Sequence, residues 1–153
     1  MKTEYEPLFD PGFHNITLED IDEIFVLDFN DSSKRQYLTK RFKVLVSLLE
    51  EIGAEFEIWI DGSFSTKKPE PNDIDIAIVG DSQTLNSLPI EKQKILADLI
   101  ENKAETKLRY SCDIYFVPKE ESITKSYWRG WFGFTRNEKP KGIPRLFLEA
   151  GNN

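Results

Sequence analysis

A chain of 153 residues, 39% hydrophobic and 12% aromatic, is long enough for one domain with its own apolar core and leaves little room for a second. Its single cysteine, Cys112, excludes an intramolecular disulfide, so a reducing cytoplasm is the simplest location, and neither the opening MKTEYEPLFD nor any later run has the apolar stretch of a signal peptide or a membrane span. The net charge of −7 disfavours tracking along an extended nucleic acid, but it is uneven: residues 1–121 carry 25 acids and 14 bases, whereas residues 122–147 carry six bases (Lys125, Arg129, Arg136, Lys139, Lys141, Arg145) against Glu138. That local +5 either faces something anionic, such as a short RNA end, or neutralises the acidic body.

In chain order, the first dozen residues, with Pro7, Pro11 and Gly12, read as irregular. Thr17 reads as the N-cap of a short helix, with Glu19 and Asp20 in its positive first turn. From about Ser33 to Ile52 the apolar residues Tyr37, Leu38, Phe42, Leu45, Leu48, Leu49 and Ile52 recur at helical spacing, and Gly53 is the natural stop. Glu55–Asp61 alternates as a strand and runs into Gly62-Ser63. After a Lys/Pro-rich loop comes a second, β-branched strand, Ile74–Val79. A helix is expected over Ile90–Asn102, a third strand over Lys107–Val117, another helix near Ile123–Trp131 and a final strand near Ile143–Leu148. The order predicts a single α/β (α+β) domain with a mixed sheet flanked by helices: an N-terminal segment 1–32, a core 33–118 and an aromatic, basic extension 119–153.

The chemistry concentrates in Asp61-Gly62-Ser63, nine residues, Asp73-Ile74-Asp75-Ile76, and later Cys112-Asp113-Ile114. Residues two apart in a strand share a face, ~6–7 Å apart, so Asp73 and Asp75 present paired carboxylates while Ile74, Ile76 and Ile78 fill the other face. Paired carboxylates repel, need a cation, and as hard oxygen donors suit Mg²⁺ or Mn²⁺. If the strand of Asp113 lies beside that of Asp75, three carboxylates converge. Glycine at the end of a strand lets the backbone approach a ligand, and the serine hydroxyl adds a phosphate contact.

Gly-Ser, a short spacer, Asp-hydrophobic-Asp-hydrophobic and a later strand aspartate resemble the signature of the DNA polymerase β-like nucleotidyltransferase superfamily, over about Phe56–Val117. The segments PGFHNITLEDI, IWIDGSF and YWRGWFGF…PKGI further resemble a small bacterial branch of it. The resemblance implies that Asp73 and Asp75 hold both of two metal ions, that Asp113 holds one and helps activate the attacking hydroxyl, and that Gly62 and Ser63 bind the β- and γ-phosphates of a nucleoside triphosphate. The basic residue often found shortly after Gly-Ser has no fixed counterpart here; Lys67, Lys68, Arg129, Arg136 and Lys141 are its candidates. The helical C-terminal domain that commonly recognises the base and holds the acceptor is also missing. Small stand-alone members resemble toxins, antitoxins or phage-defence modules.

Plainer readings stand beside these. Asp-x-Asp at a strand edge is satisfied by solvent alone, Asp113 by pairing with Arg109 or Lys107, and Asp61 by a turn. His14, the only histidine, suits a hydrogen bond at the domain edge and leaves no economical zinc site or Ser-His-Asp triad. Cys112 reads as a packed core thiol. Trp128, Trp131, Phe132 and Phe134 read as core or interface, or as a base-stacking platform. Lys67-Lys68 reads as a solvated loop. The expected function is metal-dependent transfer of a nucleoside monophosphate to a hydroxyl of a protein, an RNA 3′ end or a small molecule. The alternative is a catalytically silent fold that binds a protein partner; a metal-dependent nuclease explains Gly-Ser less well.

Overall fold

The computed structural model of the protein describes residues 4–29 and 32–151. It contains a five-stranded mixed sheet flanked by helices, with strands β1 (Gly12–Ile16), β2 (Phe56–Asp61), β3 (Ile74–Gly80), β4 (Cys112–Pro118) and β5 (Gly142–Leu148) in the order β1-β5-β2-β3-β4. β1 is parallel to β5 and β4 to β3, while β2 runs antiparallel to both β3 and β5. The helices are α1 (Ser33–Ile52), α2 (Ser82–Asn86), α3 (Ile90–Glu101), α4 (Lys103–Tyr110) and α5 (Ser122–Phe132). Among the described residues no helix is long and apolar enough to cross a membrane.

Helical periodicity makes α1 the main cover of one sheet face. Leu38, Phe42, Leu45, Leu49 and Ile52 are buried against Ile58, Ile60, Ile74, Ile76 and Ile78, and Leu96 and Leu99 of α3 join them. Gly53 stops α1 in the left-handed region at φ 84°. The other face has a smaller core of Trp59, Ala77, Val79, Val117, Ile143 and Phe132, the last carried by α5. Period-2 alternation therefore sends the isoleucines of β3 to α1 and leaves the opposite face for the carboxylates. Pro144, which has no donor to give, lies just past the end of the β2–β5 ladder, which covers Arg145–Leu148.

Three expectations need correction. Lys107–Tyr110 is not the start of a strand: it is the end of α4, supported by an Arg109–Glu105 pair at i, i+4 of 2.7 Å, and left-handed Ser111 (φ 55°) turns the chain into β4. The N-terminal segment 1–32 holds a strand, β1, just past its irregular opening, and it pairs with β5 rather than with a neighbour in sequence; residues 1–3, 30 and 31 of that segment lie outside the described ones. Thr17 does cap a turn, but it is a 3₁₀ turn (Leu18–Asp20), in which Asp20 accepts from the Thr17 amide and hydroxyl at 2.9 Å each, and a π-helical turn (Glu23–Leu27) follows.

One side chain ties these parts together. Arg35, in the first turn of α1, is fully buried. Its guanidinium donates to the carbonyls of Phe25 (3.1 Å), Phe64 (2.9 Å), Thr66 (2.6 Å) and Lys68 (2.8 and 3.1 Å), reaches that of Ser63 (3.5 Å), and lies 3.7 Å from the ring centroid of Phe29. Burial lowers its pKa to about 10, which leaves it charged at neutral pH. Removing it strands those carbonyls in an apolar setting. Arg35→Met is expected to lower the unfolding free energy by about 3–5 kcal/mol, and Arg35→Lys, which keeps the charge without the fork, by less. Urea midpoints of both variants against the wild type check this, and an unaltered midpoint for Arg35→Met would count against it.

Candidate functional site

The sheet register builds a row of acids. Asp61 of β2 stands opposite Asp75 of β3, and Asp75 opposite Asp113 of β4. Asp73, two residues before Asp75 and just ahead of β3, shares their side, and Asp73, Asp75 and Asp113 each offer an oxygen within 4.8 Å of the others. All three are partly buried. The row therefore owes its existence to parallel β3–β4 pairing without a slip: a one-residue shift would turn Asp113 into the α1-facing core.

The Gly-Ser turn abuts this row. Gly62 has φ 79°, a conformation that L side chains rarely adopt, and a β-carbon there would lie 2.6 Å from Oδ2 of Asp75. Ser63 opens a 3₁₀ turn, Ser63–Ser65, whose carbonyls and those of the following loop are held by Arg35. The other candidate cations are dispersed. Lys67 pairs with Glu6 at 3.2 Å, and Lys68 contributes its carbonyl to Arg35. Arg129 lies over the ring of Phe13, 5.5 Å from its centroid, and Arg136 is exposed in the connection from α5 to β5. Lys141 is buried against Asp61 in an ion pair.

Among the described residues, the cations that reach the acidic row are thus Lys141, at Asp61, and Lys107, whose ammonium lies 3.1 Å from Asp73 and 3.2 Å from Asp113. The pairing of Asp113 with Lys107 weighed from the sequence is present and extends to Asp73, whereas Arg109 pairs with Glu105. Lys107 as a neighbour of both carboxylates was hidden by reading its segment as a strand. Arg35 and the burial of Asp61 were also missed, because both depend on contacts far away in sequence.

Electrostatics mark the row as under-neutralised. Burial, then Asp73, Asp61 and Asp113, push the Asp75 carboxyl from 3.8 up to about 6, against a smaller opposing effect of Lys107. Burial also raises Asp61, partly offset by Lys141. Tyr115, two residues after Asp113 and 4.6 Å from Trp128 between ring centroids, is raised by burial and by the same acids. The Cys112 thiol, buried on the opposite side and donating to the Tyr110 carbonyl at 3.3 Å, is pushed far up, which makes it a poor nucleophile. His14, within edge strand β1, donates from Nε2 to the Asp10 carbonyl at 2.6 Å.

The residues fit a hard divalent cation: the donors are carboxylate oxygens gathered at one point, and their mutual repulsion is what such an ion relieves. Because Asp75 releases its proton near 3.8 when unfolded and near 6 when folded, its contribution to stability is full below the lower value and is lost as pH rises through about 6. The gap is worth up to about 2–3 kcal/mol. Asp75→Asn is therefore expected to raise the Tm of the metal-free protein by about 5 °C at pH 7.5, and to make little difference at pH 4. Melting curves in chelator at both pH values check this; an Asn variant no more stable than wild type at pH 7.5 would show that the acidic row carries no such strain.

No curated protein and no solved structure matches the chain. One family model does, over residues 1–146, a span that takes in the Gly-Ser turn, the whole acidic row and Lys107. The chain belongs to DUF6932, a family of unknown function.

Proposed function

We propose that the protein is a divalent-metal-dependent nucleotidyltransferase, which moves a nucleoside monophosphate from a nucleoside triphosphate to an acceptor hydroxyl and releases pyrophosphate. The observation that carries this reading is the in-register alignment of Asp75 with Asp113, with Asp73 alongside, against the tight turn at Gly62. A nuclease would use the same acids, but the turn beside them is better explained by a triphosphate.

Asp73, Asp75 and Asp113 would hold Mg²⁺ or Mn²⁺, which when bound stabilises charge on the transferring phosphoryl group. The bare backbone of Gly62 gives the β- and γ-phosphates room to approach, and the Ser63 hydroxyl donates to a phosphate oxygen. Asp113 takes the proton of the acceptor hydroxyl as its oxygen bonds to the α-phosphorus and the bond from that phosphorus to the pyrophosphate oxygen breaks. Arg35 acts from behind, by fixing the carbonyls of residues 63–68 so that the turn does not reorganise as phosphate binds. The acceptor is a protein side chain, an RNA 3′ end or a small molecule, in a cytoplasmic setting of the toxin–antitoxin or phage-defence kind that the sequence resemblance suggests.

A second reading, a silent fold that serves as a binding partner, draws on α5. Trp128 and Phe132 are packed inward, but Ile123, Tyr127 and Trp131 form an exposed stripe at i, i+4, i+8, with Phe134 nearby. Such a stripe suits a partner protein whether or not the acidic row is active.

Triphosphate binding separates the two. At ~100 times its dissociation constant, a nucleoside triphosphate with Mg²⁺ should add about 2.7 kcal/mol of stability, a Tm rise of about 5–10 °C. The rise is expected to vanish without metal and in the Asp73→Ala/Asp75→Ala double variant. A folded wild type that no triphosphate stabilises, with Mg²⁺ or Mn²⁺, would defeat the enzyme reading.

A further inference from the structure

The two lysines on the acidic row are held in different ways. Lys141 and Asp61 are both buried, their side chains 9% and 11% exposed, so that pair is a permanent part of the core. Lys107 is 50% exposed, and its ammonium meets Asp73 and Asp113 in solvent. Half-exposed pairs of this kind are weak and easily exchanged. The anchor of Lys107 is nevertheless firm. Its carbonyl accepts from the Ser111 amide at 2.8 Å, and the Ser111 carbonyl accepts from the Ile74 amide at 2.9 Å, which pins the end of α4 between β3 and β4. A flexible side chain thus leaves a fixed point at the rim of the row and bridges two of the three carboxylates that a cation would need.

Resting on the metal-dependent reading above, we propose that Lys107 is a releasable counter-ion that couples the metal to the triphosphate. Without ligand its ammonium neutralises Asp73 and Asp113 and competes with a bare divalent cation for them. When the cation arrives on a triphosphate, the displaced ammonium stays at the rim and pairs with the phosphate oxygens, so losing the carboxylates is offset. Lys107 is thereby a positioning residue that favours the metal–triphosphate complex over the free metal.

The prediction has opposite signs for two ligands. Lys107→Met should bind free Mn²⁺ about tenfold more tightly than wild type and preformed Mn²⁺–triphosphate, as a non-hydrolysable ATP analogue, about tenfold more weakly. A merely structural lysine would not move the two affinities in opposite directions. Arg109→Met removes the same charge two residues away, from a residue that pairs with Glu105, and should change neither affinity by more than about twofold. Free Mn²⁺ is read by its own paramagnetic signal and the complex by calorimetry, on proteins whose melting curves show them folded. Equal affinities in wild type and Lys107→Met, a change of the same sign for both ligands, or the same gain in Arg109→Met would each overturn the role of Lys107 while leaving the metal site standing. Failure of wild type and both variants to bind Mn²⁺ in either form would instead overturn the metal-dependent reading itself.

Discussion

A buried guanidinium met by backbone carbonyls is the constraint on which the arrangement depends. Arg35 leaves the first turn of α1 and is satisfied by backbone carbonyls, four of them between Ser63 and Lys68. Ser32 adds to the same seam by accepting from the Arg35 amide and donating to the Pro69 carbonyl, each at 3.1 Å. A buried charge is costly unless every donor is met, so the loop cannot drift from α1 without leaving a cation unpaired. Because that loop begins at Gly62, against Asp75, its position is transmitted directly to the acidic row. A helix chosen for its apolar stripe and a turn chosen for its missing β-carbon are thus locked together by one polar residue.

That rigidity permits a second feature that stability alone would not select. Three acids on adjacent strands, with Asp73 just ahead of β3, crowd one side of the sheet, and with their cations in place Asp75 is still held near a pKa of 6. Sheet pairing explains how they come together: opposite residues share a face, so Asp61, Asp75 and Asp113 must project the same way once the strands are in register. The isoleucines between them fix that register, since Ile74, Ile76, Cys112 and Ile114 are all buried on the α1 side. Apolar packing on one face therefore enforces electrostatic repulsion on the other, a local conflict of the kind expected at a functional site.

What was legible in the chain follows the range of the forces involved. The α1 stripe, the strand alternation of β2 and β3 and the facing of Asp73 and Asp75 come from neighbours in sequence, and the α/β sheet with helices around it is what these dictate. The acidic row was legible as far as Asp113, because its strand is apolar on the other side. β1 was not, since GFHNI pairs with residues about 130 positions later and follows directly on Pro11. The alternation of KLRYSCDIYFV extends the strand signal of β4 back over Lys107–Tyr110, the end of α4, where the Arg109–Glu105 pair and the left-handed Ser111 decide for a helix. Nothing in the local pattern distinguishes Arg35 from a solvated residue at a helix start; the loop about 30 residues later, with Phe25 and Phe29, surrounds it.

The uneven charge of the chain resolves in the same terms. Of the six bases in residues 122–147, Lys141 is buried on Asp61, while Lys125 and Arg145 lie 3.8 and 3.5 Å from Glu57, a buried acid that also accepts from the Trp59 indole at 3.3 Å. These three neutralise the body, along β2. Arg129, Arg136 and Lys139 are exposed, and Arg129 stands over Phe13 on the face that α5 covers. Among the described residues, the acidic row is therefore flanked by a buried cation, Lys141, at its β2 end and by a half-exposed one, Lys107, at its β4 end. On the proposed function, a net-acidic protein with this distribution would repel a long polyanion but accept a compact one that brings its own divalent cation. The overall charge of −7 and a triphosphate site are, on this geometry, compatible: the repulsion that would exclude the phosphate is the same repulsion that the accompanying metal relieves.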